Sequence, residues 1–153
     1  MVFSFPIKSF SSLLGDGLGL SLFKKDWYSN LPIFLDNMKK VQDEYIDNDD
    51  IMLLSMSVTP EIDDIEVLKD YAIEKGVNDS KWNITTGSKK HIYELARKSY
   101  FAVVDQGDGG LQDFIHTPNF ILVDTKKQIR GIYDGTEDNE ILRLIKDINI
   151  LTN

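Results

Sequence analysis

The segment Ile51–Val58, with the sequence IMLLSMSV, decides the fold class of this chain. It is short and almost continuously apolar, which is typical of a strand buried on both faces of a sheet. Helical patterns flank it: one begins near Pro32, and the other is capped by Asp63 or Asp64 and ends at Gly76. A buried strand between two helices predicts an α/β fold with helices on both faces of the sheet.

Strands and helices alternate along the rest of the chain. In order, the patterns predict strand Trp82–Thr85, helix Ser88–Tyr100, strand Phe101–Val104, loop Asp105–Gln112, strands Phe120–Val123 and Ile129–Tyr133 as a hairpin, and a last helix capped by Thr136. The inward positions of the first helix are Phe34, Met38, Val41 and Tyr45, and those of the last are Ile141, Leu144, Ile145, Ile148 and Leu151. A hairpin followed by a helix is how a thioredoxin-like domain ends, so that architecture is expected here.

The first thirty residues differ in character from the rest. Residues Met1–Leu22 are rich in serine, glycine, leucine and phenylalanine and show no clean periodicity. Within this part, only Leu18–Phe23 is predicted to form a strand. We therefore divide the chain into an atypical N-terminal segment, residues 1–30, and a thioredoxin-like domain, residues 31–153.

Composition excludes several functional classes. The chain has 153 residues, 42% of them hydrophobic, and a net charge of −8, which suits one acidic globular domain and disfavours binding to nucleic acid or anionic membrane. It contains no cysteine, so disulfides, thiol redox chemistry and thiolate metal ligands are absent from this sequence. No run of 18 apolar residues predicts a membrane span, and the Phe10–Phe23 stretch is a poor signal peptide.

Five sequence blocks then resemble one family, Sco/SenC, in the right order. They are Met52–Asp63 (MLLSMSVTPEID), Glu66–Ala72 (EVLKDYA), Trp82–Gly87 (WNITTG), His116–Asp124 (HTPNFILVD) and Gly131–Thr136 (GIYDGT). The resemblance extends from Asn37 to Ile150, about three quarters of the chain. It implies a thioredoxin-like fold and a copper chaperone that helps to assemble the dinuclear copper centre of cytochrome c oxidase.

The same resemblance implies three copper ligands, of which this sequence matches one. The family's ligands are the two cysteines of a C-x-x-x-C-P motif and one later histidine, and His116 stands at the histidine position. Counting back from Met38 without a gap places Trp27 and Leu31 at the cysteine positions, followed by a matching Pro32. Neither side chain can bind a metal ion, because indole only donates a hydrogen bond and leucine offers no donor atom.

We therefore expect a Sco/SenC-like protein that is not an enzyme and binds no copper as written. The resemblance implies a cytochrome c oxidase subunit as partner and a location on the periplasmic side of the inner membrane, although the sequence shows no evident signal or anchor. One alternative is a metal-free interaction module that keeps the partner surface. Another is a relative of thiol–disulfide oxidoreductases without redox activity. From composition alone, His116 is equally consistent with a loop histidine that has no ligand role.

The departures from the family pattern all lie upstream of one point. The family usually carries about two more strands before its cysteine motif, and residues 1–26 do not resemble them. We hypothesise that the reading frame was altered upstream of Leu31, which translation of the preceding DNA in the other two frames would test. A sheet with altered early strands is expected to be marginally stable or to self-associate.

Overall fold

A computed structural model describes residues 3–4, 18–23, 31–99 and 118–152 of the chain. These residues form one sheet of six strands and four α-helices. In chain order the elements are β1 (Phe3–Ser4), β2 (Leu18–Phe23), α1 (Leu31–Glu44), β3 (Met52–Ser57), α2 (Ile65–Glu74), β4 (Trp82–Thr86), α3 (Lys89–Glu94), β5 (Asn119–Val123), β6 (Ile129–Asp134) and α4 (Asp138–Thr152). None of the described helices is long and apolar enough to cross a membrane.

The strand order in the sheet is β1-β4-β3-β2-β5-β6. The first four of these strands run parallel to their neighbours, whereas β5 is antiparallel to both β2 and β6. Strand β2 lies in the middle of the sheet, with Leu18 opposite Met52 on one side and Val123 on the other. The segment before residue 31 therefore contributes a central strand, and the predicted strand at Leu18–Phe23 is confirmed.

Alternate residues of the strands enter two separate apolar layers. Leu53, Trp82 and Phe120 belong to a buried cluster that also contains residues of α1, α2 and α4. Leu54 and Met56 are equally buried and point to the opposite face, because side chains alternate along a strand. On that face, the Tyr93 hydroxyl of α3 donates a hydrogen bond of 3.1 Å to the Val58 carbonyl. Helices therefore cover both faces, as the sequence predicted.

Most predicted elements are confirmed within a residue or two. All four predicted inward side chains of α1 are buried, and α1 begins one residue before Pro32. Asp64 caps α2 by accepting a hydrogen bond of 2.9 Å from the Val67 amide. Gly76 follows the helix with a φ of +64°, a conformation that glycine adopts at little cost.

The predicted third helix is confirmed to Ser99: α3 ends at Glu94 and continues as a π-helical stretch, Leu95–Ser99. Two local predictions are wrong. Thr136 does not cap α4, because the Asp134 carboxylate binds its backbone amide at 2.9 Å and its hydroxyl at 2.6 Å. Leu151 is 45% exposed, since it lies in the last turn of α4, beyond the buried stripe.

Some predictions fall where the structure gives no description. The predicted strand Phe101–Val104, the loop Asp105–Gln112 and the residue Tyr100 lie outside the described residues. The domain division at residue 31 stays a prediction, although β2 and the strands after residue 31 pair within one sheet.

Candidate functional site

The predicted ligand positions are only partly described. Trp27 and His116 lie outside the described residues, whereas Leu31 is the first residue of α1 and Pro118 follows His116 by two residues. Of the predicted site, the structure therefore describes only the start of α1 and the start of β5.

Both of these starting points lie at one edge of the sheet. Phe23 and Ser57 are paired at the carboxyl ends of the parallel strands β2 and β3. Strand β5 runs the other way, with Phe120 opposite Ser21, so its first residue begins at that same edge. In α/β sheets, ligands bind in the crevice outside the carboxyl ends of the strands. We call this region the carboxyl edge.

A set of buried contacts fixes α1 against the start of β5. The rings of Phe34 and Phe120 meet edge to face with their centroids 4.6 Å apart. The Asn37 side-chain amide donates to the Gly135 carbonyl at 2.9 Å, and the Gly135 amide donates to the Pro118 carbonyl at 2.7 Å. These five residues, which we call the clamp, hold the first turns of α1 beside the start of β5.

Glycine is required at the centre of the clamp. A Cβ atom at Gly135 would lie 2.6 Å from the Phe34 ring and 2.7 Å from the Phe120 ring. Real Cβ contacts are longer, so any larger residue here would push α1 away from the sheet. The clamp therefore depends on the turn that contains Gly135. In the sequence, Gly135 stands out only as part of the block Gly131–Thr136 (GIYDGT).

The described residues at this edge do not supply the donor atoms that copper would need. Leu31 is an alkyl residue, and the whole sequence contains no cysteine. Among the described residues, no group of three or more histidine, cysteine, aspartate or glutamate side chains could hold a metal ion. The residues present therefore do not fit a thiolate copper site.

Asp63 supplies a buried carboxylate at the same edge. Its position before α2 predicts only an acid at the start of a helix. Asp63 is fully buried, and its Oδ2 accepts hydrogen bonds from the Ser57 hydroxyl and, at 2.9 Å, from the Thr59 hydroxyl. The Thr59 amide donates to the Ser57 hydroxyl oxygen at 3.0 Å. This network fixes the turn between β3 and α2, while Oδ1 of Asp63 has no hydrogen-bond partner in the described structure.

Negative charge gathers around Tyr71 on α2. Burial raises the pKa of Tyr71 above its ordinary value, and the carboxylates of Glu74, Asp36 and Asp63 raise it further. Because loss of the phenol proton would add a fourth negative charge in a buried place, Tyr71 stays neutral at physiological pH.

A groove lies at the opposite edge of the sheet. It has a volume of about 400 Å³, an apolar floor that includes Ile51, Leu122 and Ile148, and a charged rim. On that rim Asp124 accepts a hydrogen bond from Arg130 at 2.6 Å, and the Gln128 amide and Arg130 lower the pKa of Asp124. The groove is remote from Leu31, so it is not part of the predicted site.

Comparisons with known proteins agree with this geometry. A family model described as SCO1/SenC matches residues 32–152. The SCO1 protein homolog of Bacillus subtilis (strain 168) is 33% identical over 114 residues, which cover 74% of this chain and 57% of that protein. The chain thus spans little more than half the length of this curated relative.

Two solved structures illustrate the likeness of fold. The crystal structure of a SCO1/SenC family lipoprotein from Bacillus anthracis str. Ames matches with a TM-score of 0.78 and 25% identity, covering 94% of this chain and 85% of that one. The crystal structure of Arabidopsis thaliana ScoI with copper bound matches with a TM-score of 0.68 and 22% identity, covering 92% and 88%. These matches confirm the thioredoxin-like fold class expected from the sequence.

Proposed function

The chain belongs to the SCO1/SenC family, and we propose that it is a copper chaperone by descent that does not hold Cu(I) tightly. The observation that carries the proposal is the start of α1, where Leu31 precedes Pro32 at the position of the family's second cysteine. Cu(I) prefers soft thiolate ligands, and this sequence contains none. The remaining ligand candidate, His116, would offer a single imidazole, which binds only weakly by itself.

The fold of the family is nevertheless retained. The clamp brings the start of α1 and the start of β5 together, which supports a site formed near these two starts. If the two cysteines were present, their thiolates and His116 would carry the ion and pass it to a cytochrome c oxidase subunit by ligand exchange. We propose the same partner class for this chain, with no catalytic step.

A place on the outer side of the membrane is part of the proposal. The relative from Bacillus anthracis is described as a lipoprotein, which supports a membrane-associated family. For this chain we propose the periplasmic side of the inner membrane, and fractionation of cells that express it would test the location.

A Cu(I) titration against a chromophoric chelator tests the metal part of the proposal. We expect no complex tighter than about micromolar, because one imidazole cannot replace two thiolates. The variant His116→Ala serves as the matched control and should show the same weak competition. A tight 1:1 Cu(I) complex of the unaltered chain would refute the proposal.

An interaction module without metal is the second candidate function. Two large apolar side chains at the carboxyl edge are exposed, Ile33 by 48% and Ile62 by 54%, and such residues favour contact with a protein partner. Calorimetric titration with a soluble copper-centre domain of cytochrome c oxidase would test it. Binding that the variant Ile62→Asp weakens at unchanged stability would support the module, and no binding would count against it.

A further inference from the structure

The helices on the two faces of the sheet carry opposite net charge. On one face, α1, α2 and α4 together hold five basic and nine acidic residues. On the other face, the stretch Lys89–Ser99, which comprises α3 and its π-helical continuation, holds four basic residues and one acid, Glu94. We call this stretch the basic helix. The chain therefore contains a positive element although its overall net charge is −8.

A buried tyrosine positions two cations of the basic helix. The centre of the Tyr93 ring lies 5.3 Å from the Lys89 ammonium and 5.3 Å from the Arg97 guanidinium, which come four residues before and four residues after it. The Tyr93 hydroxyl donates to the Val58 carbonyl at 3.1 Å, which anchors the ring on the sheet. Cation–π contact of this kind holds the apolar stems on the ring while the charged ends stay hydrated.

The outward side of the basic helix adds further polar and charged groups. Lys90 and His91 are exposed, whereas Ile92 and Tyr93 are buried against the sheet. Because the count of charges already includes Glu94, the net charge of the helix stays positive whichever group Glu94 contacts. The face that the basic helix presents to solvent is therefore cationic.

The sheet separates the basic helix from the acidic helices. A helix with its side chains is about 10 Å across, and the sheet lies between the two helix layers. The charges of the two layers are thus roughly 10 Å or more apart, which exceeds the Debye length of about 8 Å at physiological ionic strength. The negative net charge of the chain therefore opposes an anionic surface only weakly when that surface approaches the basic helix.

We propose that the basic helix is the surface on which this domain lies against an anionic lipid bilayer. Lysine and arginine side chains near a membrane are attracted to its anionic headgroups, and the attraction of several such residues adds. Lys89, Lys90 and Arg97 extend over two helical turns, which suits an extended anionic surface better than one small anion. In this orientation the carboxyl edge points sideways and stays open to a partner.

The proposal rests on the location beside a membrane that is proposed above, and it is independent of copper and of the oxidase. The relative from Bacillus anthracis is described as a lipoprotein, which favours a bilayer over a soluble polyanion as the occupant. Vesicle binding and cell fractionation are separate measurements. A chain that binds anionic vesicles but fractionates away from the membrane would refute the location and leave the lipid-binding surface in place.

Co-sedimentation of the full chain with lipid vesicles tests the proposal. Vesicles that contain phosphatidylglycerol should bind the chain, whereas vesicles of phosphatidylcholine alone should not. Salt at about 1 M should abolish binding, because it shortens the Debye length to about 3 Å. Lys90→Glu reverses an exposed charge of the basic helix and should lower the partition coefficient at least about fivefold.

The matched control for Lys90→Glu is Lys146→Glu. It makes the same change in net charge at an exposed position of α4, on the other face of the sheet. It should lower the partition coefficient less than about twofold, because the site is screened from a bilayer at the basic helix. Equal losses for the two variants would show that only net charge matters and would overturn the proposal.

A fluorescent label tests the orientation on the bilayer. The chain contains no cysteine, so Ser88→Cys and Leu142→Cys each create a single labelling site. Both positions are exposed, one directly before the basic helix and the other on α4. A nitroxide lipid in the vesicles should quench the label at position 88 more strongly than the label at position 142.

Two further results would overturn the proposal. One is equal quenching of the two labels, which would show that the bilayer does not select the face of the basic helix. The other is an unaltered chain that binds no anionic vesicles. If that chain binds soluble polyglutamate instead, the basic helix faces an acidic protein and not a membrane.

Discussion

The clamp at the carboxyl edge and the predicted ligand positions differ in what this sequence retains. The clamp is complete: two rings in contact, two hydrogen bonds below 3 Å and a glycine at which a Cβ atom would displace the rings. Of the ligand positions, Leu31 and Trp27 carry no metal donor and only His116 matches the family. Packing and metal chemistry are therefore separable here, because the forces that hold α1 on the sheet do not depend on the cysteines.

The largest expected effect tests whether the clamp is part of the core. Phe34→Ala removes a side chain that is 4% exposed and leaves a cavity against Phe120, so it should lower the free energy of unfolding by about 3–5 kcal/mol. Its neighbour Ile33 is 48% exposed, so Ile33→Ala is the matched control and should cost less than about 1 kcal/mol. If urea unfolding gives the two variants equal losses of unfolding free energy, the clamp residue Phe34 is no more part of the core than the exposed Ile33.

A smaller loss is expected at the centre of the clamp. Gly135→Ala brings a methyl group against both rings and should cost about 1–3 kcal/mol through displacement of α1. Combining it with Phe34→Leu, which shortens one of the obstructing side chains, should recover part of that loss in a double-mutant cycle. If the losses of unfolding free energy of the two single variants simply add in the double variant, Gly135 does not act through its contact with Phe34.

The hydrogen bond of the clamp gives the smallest of the three effects. Asn37→Ala leaves the Gly135 carbonyl without its side-chain donor and should cost about 1–2 kcal/mol, since Asn37 is buried. Asp36→Ala, on the exposed side of the same turn, should change stability by about 0.5 kcal/mol or less. Thermal unfolding of both variants measures the difference, and a harmless Asn37→Ala would show that ring packing alone holds α1.

Apolar patterns were enough to predict most of the fold. The α1 stripe repeats at helical spacing, whereas the strand after it and the strands of the final hairpin are short apolar runs bounded by turn residues. The patterns did not predict β1, because Phe3–Ser4 is too short for a period to register.

Side-chain burial at special positions could not be predicted in the same way. Lys81 is only 2% exposed, because its ammonium group donates to the carbonyls of Asn48 and, at 3.0 Å, Ile51. The buried Asp63 carboxylate accepts a hydrogen bond from the Thr59 hydroxyl, which follows β3. The rings of Phe34 in α1 and Phe120 in β5 leave no room for a Cβ atom at Gly135. The surroundings of each of these three residues depend on neighbours distant in sequence or on the geometry of a turn. Distant neighbours and turn geometry leave no periodic pattern in the sequence.

The most direct test of the central claim is a Cu(I) competition titration of the double variant Trp27→Cys, Leu31→Cys beside the unaltered chain. If the scaffold is intact and only the donors are missing, the variant should bind one Cu(I) at least about a thousandfold more tightly, which corresponds to about 4 kcal/mol. Adding His116→Ala should remove part of that gain. A double variant that folds but binds Cu(I) no better than the unaltered chain would contradict the account.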